Sequence, residues 1–476
     1  MKLEWLRVPD NPRQGIYRIF APQWKEVILL WLGREDVRSK EKEKFIQALV
    51  EFNDGCGECR AIDRVRRGFY EFRAYFLAAA AVDEWKNSCN ADAIVAEIVK
   101  WRFGKFNIDK WVFHEFKIEQ QKWERFPEPI EQGANTALLQ TERTKAIHAL
   151  VQLICNCQDK FACMQAASSL GQIGLGSQTA IDALVQLICN SQNEFIRRYA
   201  ASSLGQIGLG NQKEIDALVQ LIYNSQSKTT RGQAVSSLGQ IGLGNQAAID
   251  ALVELINNSE YEFLRMRAAS SLGQINPRNR TAIDALEQLI NNSLDKLITR
   301  QAASILKQLE LDNQKEIDAL AQSITNYQYE HNCMQATPTL KQIELDNQRE
   351  IDALVQTCNS EDEFTCMEVI SSLGQIGLGN QTAIDVLVEL IYNSPSEMIH
   401  SQAAETLWTI LAEEKQMAGV VTALKDYLSD ETYENDFWRL HKFHNCYNLI
   451  WKCAENMTYP TFYQAWHQQE KVKDGE

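Results

Sequence analysis

Apolar positions return along this chain with a period of 34 residues. The string Ile-Asp-Ala-Leu, or a variant of it, begins at Ile147, Ile181, Ile215, Ile249, Ile283, Ile317 and Ile351, and once more at Ile384. Between these copies sits Ser-Ser-Leu-Gly-Gln-Ile-Gly or a variant, ending for example at Gly174, Gly208, Gly242 and Gly377. In the first half of a unit, represented by residues 193–207, Ala200, Leu204 and Ile207 recur at i, i+4 and i+7 and form an apolar stripe on one helix face. Gly208 reads as a left-handed C-cap. The second half opens with Asn211 and Glu214, an Asn-x-x-Glu capping box, and then buries Ile215, Leu218, Val219 and Ile222. Each unit is therefore a helical hairpin. Neither helix covers its apolar face alone, so the units must stack into a superhelical array with a continuous core.

The copies differ from one another in informative ways. Gly171, Gly205, Gly239, Gly273 and Gly374 occupy a helix-interior position where Gly costs about 1 kcal/mol against Ala, which predicts close helix packing in compensation. In two copies that position is Lys307 and Lys341, and the capping Gly becomes Glu310 and Glu344. Pro338 falls inside an expected first helix, so a kink or change of curvature is expected near residues 330–345. Variation is greatest just before the Ala-Ala pair, at Cys163 and Met164, Arg197 and Arg198, Thr230 and Arg231, Arg265 and Met266, Thr299 and Arg300, and His400. The helical phase places these on the surface. Such a column is a natural place for partner-reading residues, and ordinary drift of solvated positions accounts for the same variation.

The flanks read as helical caps, dividing the chain into 1–60, 61–127, an array over 128–430, and 431–476. Residues 69–103 form a divergent helical pair, through Tyr75, Phe76, Ala79 and Trp85 and then Ile94, Ile98 and Trp101. The stretch from Phe103 to Pro129 carries Trp111, Phe113, Phe116, Trp123 and Phe126, an aromatic density that suggests a cap against the solenoid end. Val421 to Leu428 reads as a last, offset repeat helix and Phe437 to Cys453 as a longer helix, before an aromatic tail at 459–467 that should dock as a cap.

The string Arg-Arg-Tyr-Ala-Ala-Ser-Ser-Leu-Gly-Gln-Ile-Gly resembles HEAT repeats of the phycobilisome-lyase type. A 34-residue period also fits tetratricopeptide repeats, but their aromatic and Pro signature is missing. The expectation is an all-α HEAT-repeat solenoid with N- and C-terminal helical caps. The flanks carry a second resemblance. Residues 21–36 (APQWKEVILLWLGRED) look like the segment that follows the NACHT nucleotide-binding core in cyanobacterial NLR-like NTPases, and residues 69–103 and 459–467 are similar to later helical parts of that family. The resemblance implies the sensing or regulatory arm of such a receptor, with a NACHT-type NTPase as partner. No GxxxxGK[ST] string occurs, so the family's nucleotide site is not carried over and no cofactor is expected.

Charge narrows the classes of partner. The chain has 476 residues and a formal net charge of −15, of which residues 1–140 carry net +1 and residues 141–476 net −16. That balance argues against nucleic acid lying along most of the chain. The start, MKLEWLRVPDNPRQ, lacks the apolar core of a signal peptide, and the apolar run Val27 to Leu32 is too short to span a bilayer, so a cytoplasmic protein is expected. The 12 cysteines, scattered mostly singly in apolar helical patterns, read as buried small hydrophobes rather than a disulfide framework.

Candidate chemistry is sparse. Cys56 and Cys59 form one CxxC pair without a second pair of ligands, and His441, His444, Cys446 and Cys453 read as core and cap residues, so no metal is assigned. Arg60, Arg64, Arg66, Arg67 and Arg73 make the densest basic cluster, either a solvated helix face or a docking site for an acidic surface, with Arg64 and Arg67 as candidate contacts. The di-iron hydroxylases that share this repeat type use several His-Glu pairs, and His114-Glu115 is the sole such pair here. No nucleophile with a base is indicated. The reading is a non-catalytic protein-interaction or sensing scaffold. A phycobilin lyase or lyase chaperone, acting on a phycobiliprotein partner, is the alternative.

Overall fold

In the computed structural model, residues 18–56, 67–113, 116–124, 126–156, 159–276, 279–322, 351, 354, 363–394, 396–428 and 437–468 are described. The chain divides into two compact units, residues 143–333 and residues 1–142 together with 334–476. Each is considered by itself.

The unit at 143–333 is a stack of helical hairpins. Its second helices are α6 (Arg143–Asn156), α8 (Gln178–Asn190), α10 (Gln212–Asn224), α12 (Gln246–Asn258) and α14 (Arg280–Asn292). Its first helices are α7 (Lys160–Ile173), α9 (Glu194–Ile207), α11 (Lys228–Ile241), α13 (Glu262–Ile275) and α15 (Lys296–Gln322). Caps fix most boundaries: Ser177, Asn193, Asn211, Ser227, Asn245 and Asn279 each accept a backbone N–H from the first turn of the helix they precede. Inward-facing Ala200, Leu204, Ile215, Leu218, Ala234, Leu238 and Leu252 are fully or almost fully buried, giving the continuous core that the 34-residue period requires.

The helix-interior glycines lie where first helices meet. A Cβ at Gly171 would sit 2.8 Å from Ser203 Oγ, and one at Gly239 would sit 2.7 Å from Ser271 Cβ. The seam is close-packed, and the expected compensation for Gly is present. The capping glycine behaves differently from expectation. Gly208 has φ −64° and ψ 149°, which is extended, and the left-handed residue is Gly210, at φ +73°. Gly176, Gly244 and Gly379 take the same role in their units. Gly208 is needed for space instead, because a Cβ there would lie 2.6 Å from Leu204 O and 3.1 Å from Ile241 Cγ2.

The box at Asn211 is also modified. Asn211 Oδ1 accepts from Glu214 N at 3.1 Å, but the buried Glu214 reaches past the cap residue to accept from Leu209 N (2.8 Å) and Gly210 N (2.9 Å). One carboxylate thus satisfies the loop.

Loss of the two loop glycines has two outcomes: Asn276 and Arg278 replace them between α13 and α14, which remain separate helices, whereas in α15 the break is gone. α15 runs unbroken for 27 residues through Glu310 and Asp312, which stand where Gly174 and Gly176 break the chain of the first unit. The kink expected at 330–345, with Pro338, Lys341 and Glu344, lies outside the described residues.

In the other unit, α1 (Pro22–Gly33), α2 (Ser39–Val50), α3 (Phe69–Glu84), α4 (Ala91–Phe103) and α5 (Glu128–Gln140) come from the N-terminal flank. From the C-terminal side come α16 (Glu363–Ile376), α17 (Gln381–Asn393), α18 (Glu397–Ile410), α19 (Glu414–Leu424), α20 (Phe437–Asn456) and α21 (Tyr459–His467). The fold is an all-α solenoid with one local departure. The aromatic stretch after Phe103 forms an antiparallel hairpin, β1 (Lys105–Phe113) and β2 (Phe116–Glu124), with Phe106 opposite Trp123 and Trp111 opposite Ile118.

The two flanks share one core. Phe69 lies 5.2 Å from Tyr447 and 5.5 Å from Phe462, and Phe72 lies 4.8 Å from Trp101 and 5.9 Å from Trp451, ring centre to ring centre. Tyr70 Oη donates to Met457 O at 3.0 Å, and Tyr459 Oη donates to Asp54 O at 2.6 Å. The aromatic tail is docked, as its composition predicts.

Candidate partner-binding surface

The variable column resolves into two rows. Residues at the position of Arg197 face the seam between helices, whereas the next position differs from copy to copy: Arg300 is exposed, Arg198 is half-buried, and Gly232 and Met266 are buried. Arg197 donates from Nε to Ile188 O at 3.2 Å and from Nη1 to Glu194 Oε1 at 2.9 Å. Arg265 pairs with Glu262 at 3.8 Å. Arg231 lies over the Tyr261 ring at 5.3 Å. All three are half-buried, consistent with an aliphatic stem along the seam and a guanidinium at its mouth.

Two expected surface residues are in the core. His400 belongs to the seam row and is 5% exposed; its Nε2 meets Ser394 O, and burial holds its pKa below the ordinary value. Met266 is 4% exposed. Beside it, Arg267 takes the outer position, donating to Ser236 Oγ at 2.7 Å over the Phe263 ring at 5.1 Å. Arg267 lies one residue past the most variable pair and so escapes the sequence reading; the i, i+4 spacing of Phe263 and Arg267, matching Phe195 and Tyr199, carries the signal. Cys163 and Thr230 are buried as well, whereas Arg300 is exposed.

The outer row is basic and aromatic. Arg198 stacks over Phe195 (5.3 Å) and Tyr199 (5.5 Å), and Lys228 lies 4.0 Å above Tyr261. Phe195 is 57% exposed, unusual for a ring that size.

The N-terminal basic cluster is spent internally as far as it is described. Arg67 lies over Tyr75 (4.8 Å) and Trp101 (5.7 Å) and donates to Val50 O at 3.2 Å. Arg73 donates to Ala454 O at 2.6 Å and to Phe20 O at 3.0 Å, joining three segments of the flank core. Neither presents a free docking face. Arg60, Arg64, Arg66 and Cys59 lie outside the described residues, as do His114 and Glu115.

Nearby, Asp54 accepts from Cys56 N and Tyr70 N, both at 2.8 Å, and burial pushes its pKa up. Glu71, part-buried and facing Asp54, is pushed up to about 7. Cys446 and Cys453 are core residues whose thiols burial raises to about 12, which makes them poor nucleophiles and poor metal ligands. Among the described residues no group of three or more His, Cys, Asp and Glu is placed to hold a metal ion, and no helix is long and apolar enough to cross a membrane. A cleft of about 650 Å³ opens between α5, α18 and α20, lined by Gln132, Thr136, Ser401, Glu405, Asn448 and Lys452 among others.

Residues 439–467 match the family described as NACHT C-terminal Cysteine and Histidine-containing, and residues 147–239 and 215–307 match HEAT repeats. The repeat type and the NACHT-associated C-terminal region expected from the sequence are both present. No curated protein matches. Solved structures with partial likeness include the complex of CpcE and CpcF of phycocyanin lyase from Nostoc sp. PCC7120, at 18% identity and a TM-score of 0.28, covering 34% of this chain and 98% of that one. Kap121p bound to Nup53p gives 11% identity and a TM-score of 0.37, covering 93% of this chain and 59% of that one. The full-length AP-3 complex in an intermediate open conformation, a homology model, gives 14% and 0.33, covering 75% of this chain and 57% of that one.

Proposed function

We propose that this HEAT-repeat scaffold is the non-catalytic regulatory arm of an NLR-like signalling or defence assembly, reading a protein partner with Arg197, Arg198, Arg231, Arg265 and Arg300. One observation carries the reading. The segment that matches the NACHT C-terminal family is bonded through Tyr70 and Arg73 to α3, which begins the stretch whose own sequence resembles the same family, and through Tyr459 to Asp54 just before it. The flanks thus fold as a single module, and the repeat array offers regular, separately variable contacts.

The purified chain is expected to show no ATP turnover above background, and a tagged copy recovered from the lysate of its source is expected to bring down a P-loop NTPase polypeptide. Measured turnover contradicts the reading. Recovery of a coloured phycobiliprotein, followed by bilin transfer to a Cys of that protein in a reconstituted assay, moves the assignment to the lyase class.

A further inference from the structure

We infer that the first-helix face of the unit at 143–333 holds an extended acidic polypeptide segment, laid across α9, α11, α13 and the start of α15. This rests on the scaffold reading and names the chemistry of its partner.

The two helix layers carry opposite charge. Over α7, α9, α11, α13 and residues 296–309 there are ten Lys and Arg and two Glu, whereas α6, α8, α10, α12 and α14 carry seven Asp and Glu and four Lys and Arg. In a chain of net charge −15 this concentrates the cations on one layer. Their own carboxylates do not neutralise them. Arg198, Lys228, Arg231, Arg267 and Arg300 make no ion pair among the described residues, while Arg197 and Arg265 do. Four of the five unpaired cations are held over aromatic rings, which orients them at little entropic cost and leaves their outer donors open.

Geometry favours an extended chain. The glycine seams draw the first helices of this unit together, and the second helices have no such glycines, so cationic positions of successive units follow one another closely along this layer. Exposed Gln172, Gln206, Gln240 and Gln274 form a second row at the 34-residue period, each with a donor and an acceptor for a passing backbone. Packed helices lie about 8–10 Å apart, and three residues of polyproline II span about 9.3 Å, so a segment with one acidic residue in three meets one cationic position per unit. A nucleic acid strand would instead bring a charge with every nucleotide against a face interrupted by Glu194 and Glu262 and backed by an acidic layer.

The test is fluorescence anisotropy on the full chain with three labelled probes: a peptide of five Glu-Pro-Leu triplets, its Lys-Pro-Leu counterpart, and a single-stranded RNA of similar length. The acidic peptide is expected to bind, to weaken about tenfold or more as salt rises from about 50 to 300 mM, and to weaken about tenfold or more with Arg198→Ala, Arg231→Ala and Arg267→Ala combined. Charge reversal at the outward residues, Arg198→Glu with Arg300→Glu, guards against misfolding of the triple variant and should abolish binding while leaving the thermal transition in place. Absence of acidic-peptide binding, binding by both variants equal to that of the unaltered chain, or tighter binding of the RNA overturns the inference. A protein partner retained undiminished by the triple variant overturns this surface but keeps the scaffold reading, whereas a wild-type chain that retains no partner overturns the scaffold reading itself.

Discussion

Glu71 and Asp54 face each other inside the flank core, and the cost of charging them there sets a pH dependence. Burial and the neighbouring Asp54 raise the Glu71 pKa to about 7, so between its ordinary value and 7 the folded chain holds a proton that the unfolded chain releases. Stability of the flank unit should therefore fall as pH rises from 5 to 8. Glu71→Gln should flatten that slope in thermal unfolding followed across this range; an unchanged slope would place the dependence elsewhere. The glycines offer a paired test. At Gly205 a Cβ would lie 2.9 Å from Ser237 Oγ, so Gly205→Ala should destabilise by about 1–3 kcal/mol despite its better helix propensity. At Gly419, on α19, a Cβ would meet nothing within 4 Å, so Gly419→Ala should stabilise by up to about 1 kcal/mol. Urea denaturation of both variants decides between contact and propensity as the reason for each glycine. Recurrence at the 34-residue period marks Gly205 and its equivalents as positions of close packing. It could not separate Gly208, required for space, from Gly210, required for its dihedral angle, because both requirements write the same letter.

Helical hairpins were legible in the sequence because the apolar stripe, the Asn or Ser cap and the paired glycines agreed at every regular copy. The β-hairpin was not. Its aromatics were read as a density rather than as alternating strands, and charged residues between Lys105 and Glu124 obscured any single apolar face. In α15 Glu310 and Asp312 replace the two loop glycines and, with no proline there such as Pro277 after α13, the helix continues. Restoring glycine at both places, Glu310→Gly with Asp312→Gly, should break it, and hydrogen exchange should show amide protection lost over 310–314. Protection unchanged from wild type would mean that the glycines do not set the break. Glu214→Ala should cost about 1–3 kcal/mol in urea denaturation by leaving the Leu209 and Gly210 N–H groups without their acceptor.

For the molecule as a whole, the long-range contacts within the flank unit were the hardest to foresee. The Arg cluster at 60–73 was read as surface, yet Arg67 stacks on Tyr75 and Trp101, and Arg73 works inside because carbonyls more than fifty residues away in sequence at Phe20 and Ala454 become its acceptors only once the flanks have met. The partner-binding column was half legible. Period and helical phase found the first helices, but the burial of these two positions changes from copy to copy: Met266 and His400 lie in the core, and the outer cation beside Met266 is Arg267. The account rests on the first-helix layer being the surface that meets a protein. The most direct measurement places a photoreactive phenylalanine analogue at position 206 on that layer, or at position 216 on the second-helix layer, and irradiates the chain in the lysate of its source. The account predicts a discrete polypeptide adduct from position 206 and none from position 216; adducts from 216 alone, or from neither, would contradict it.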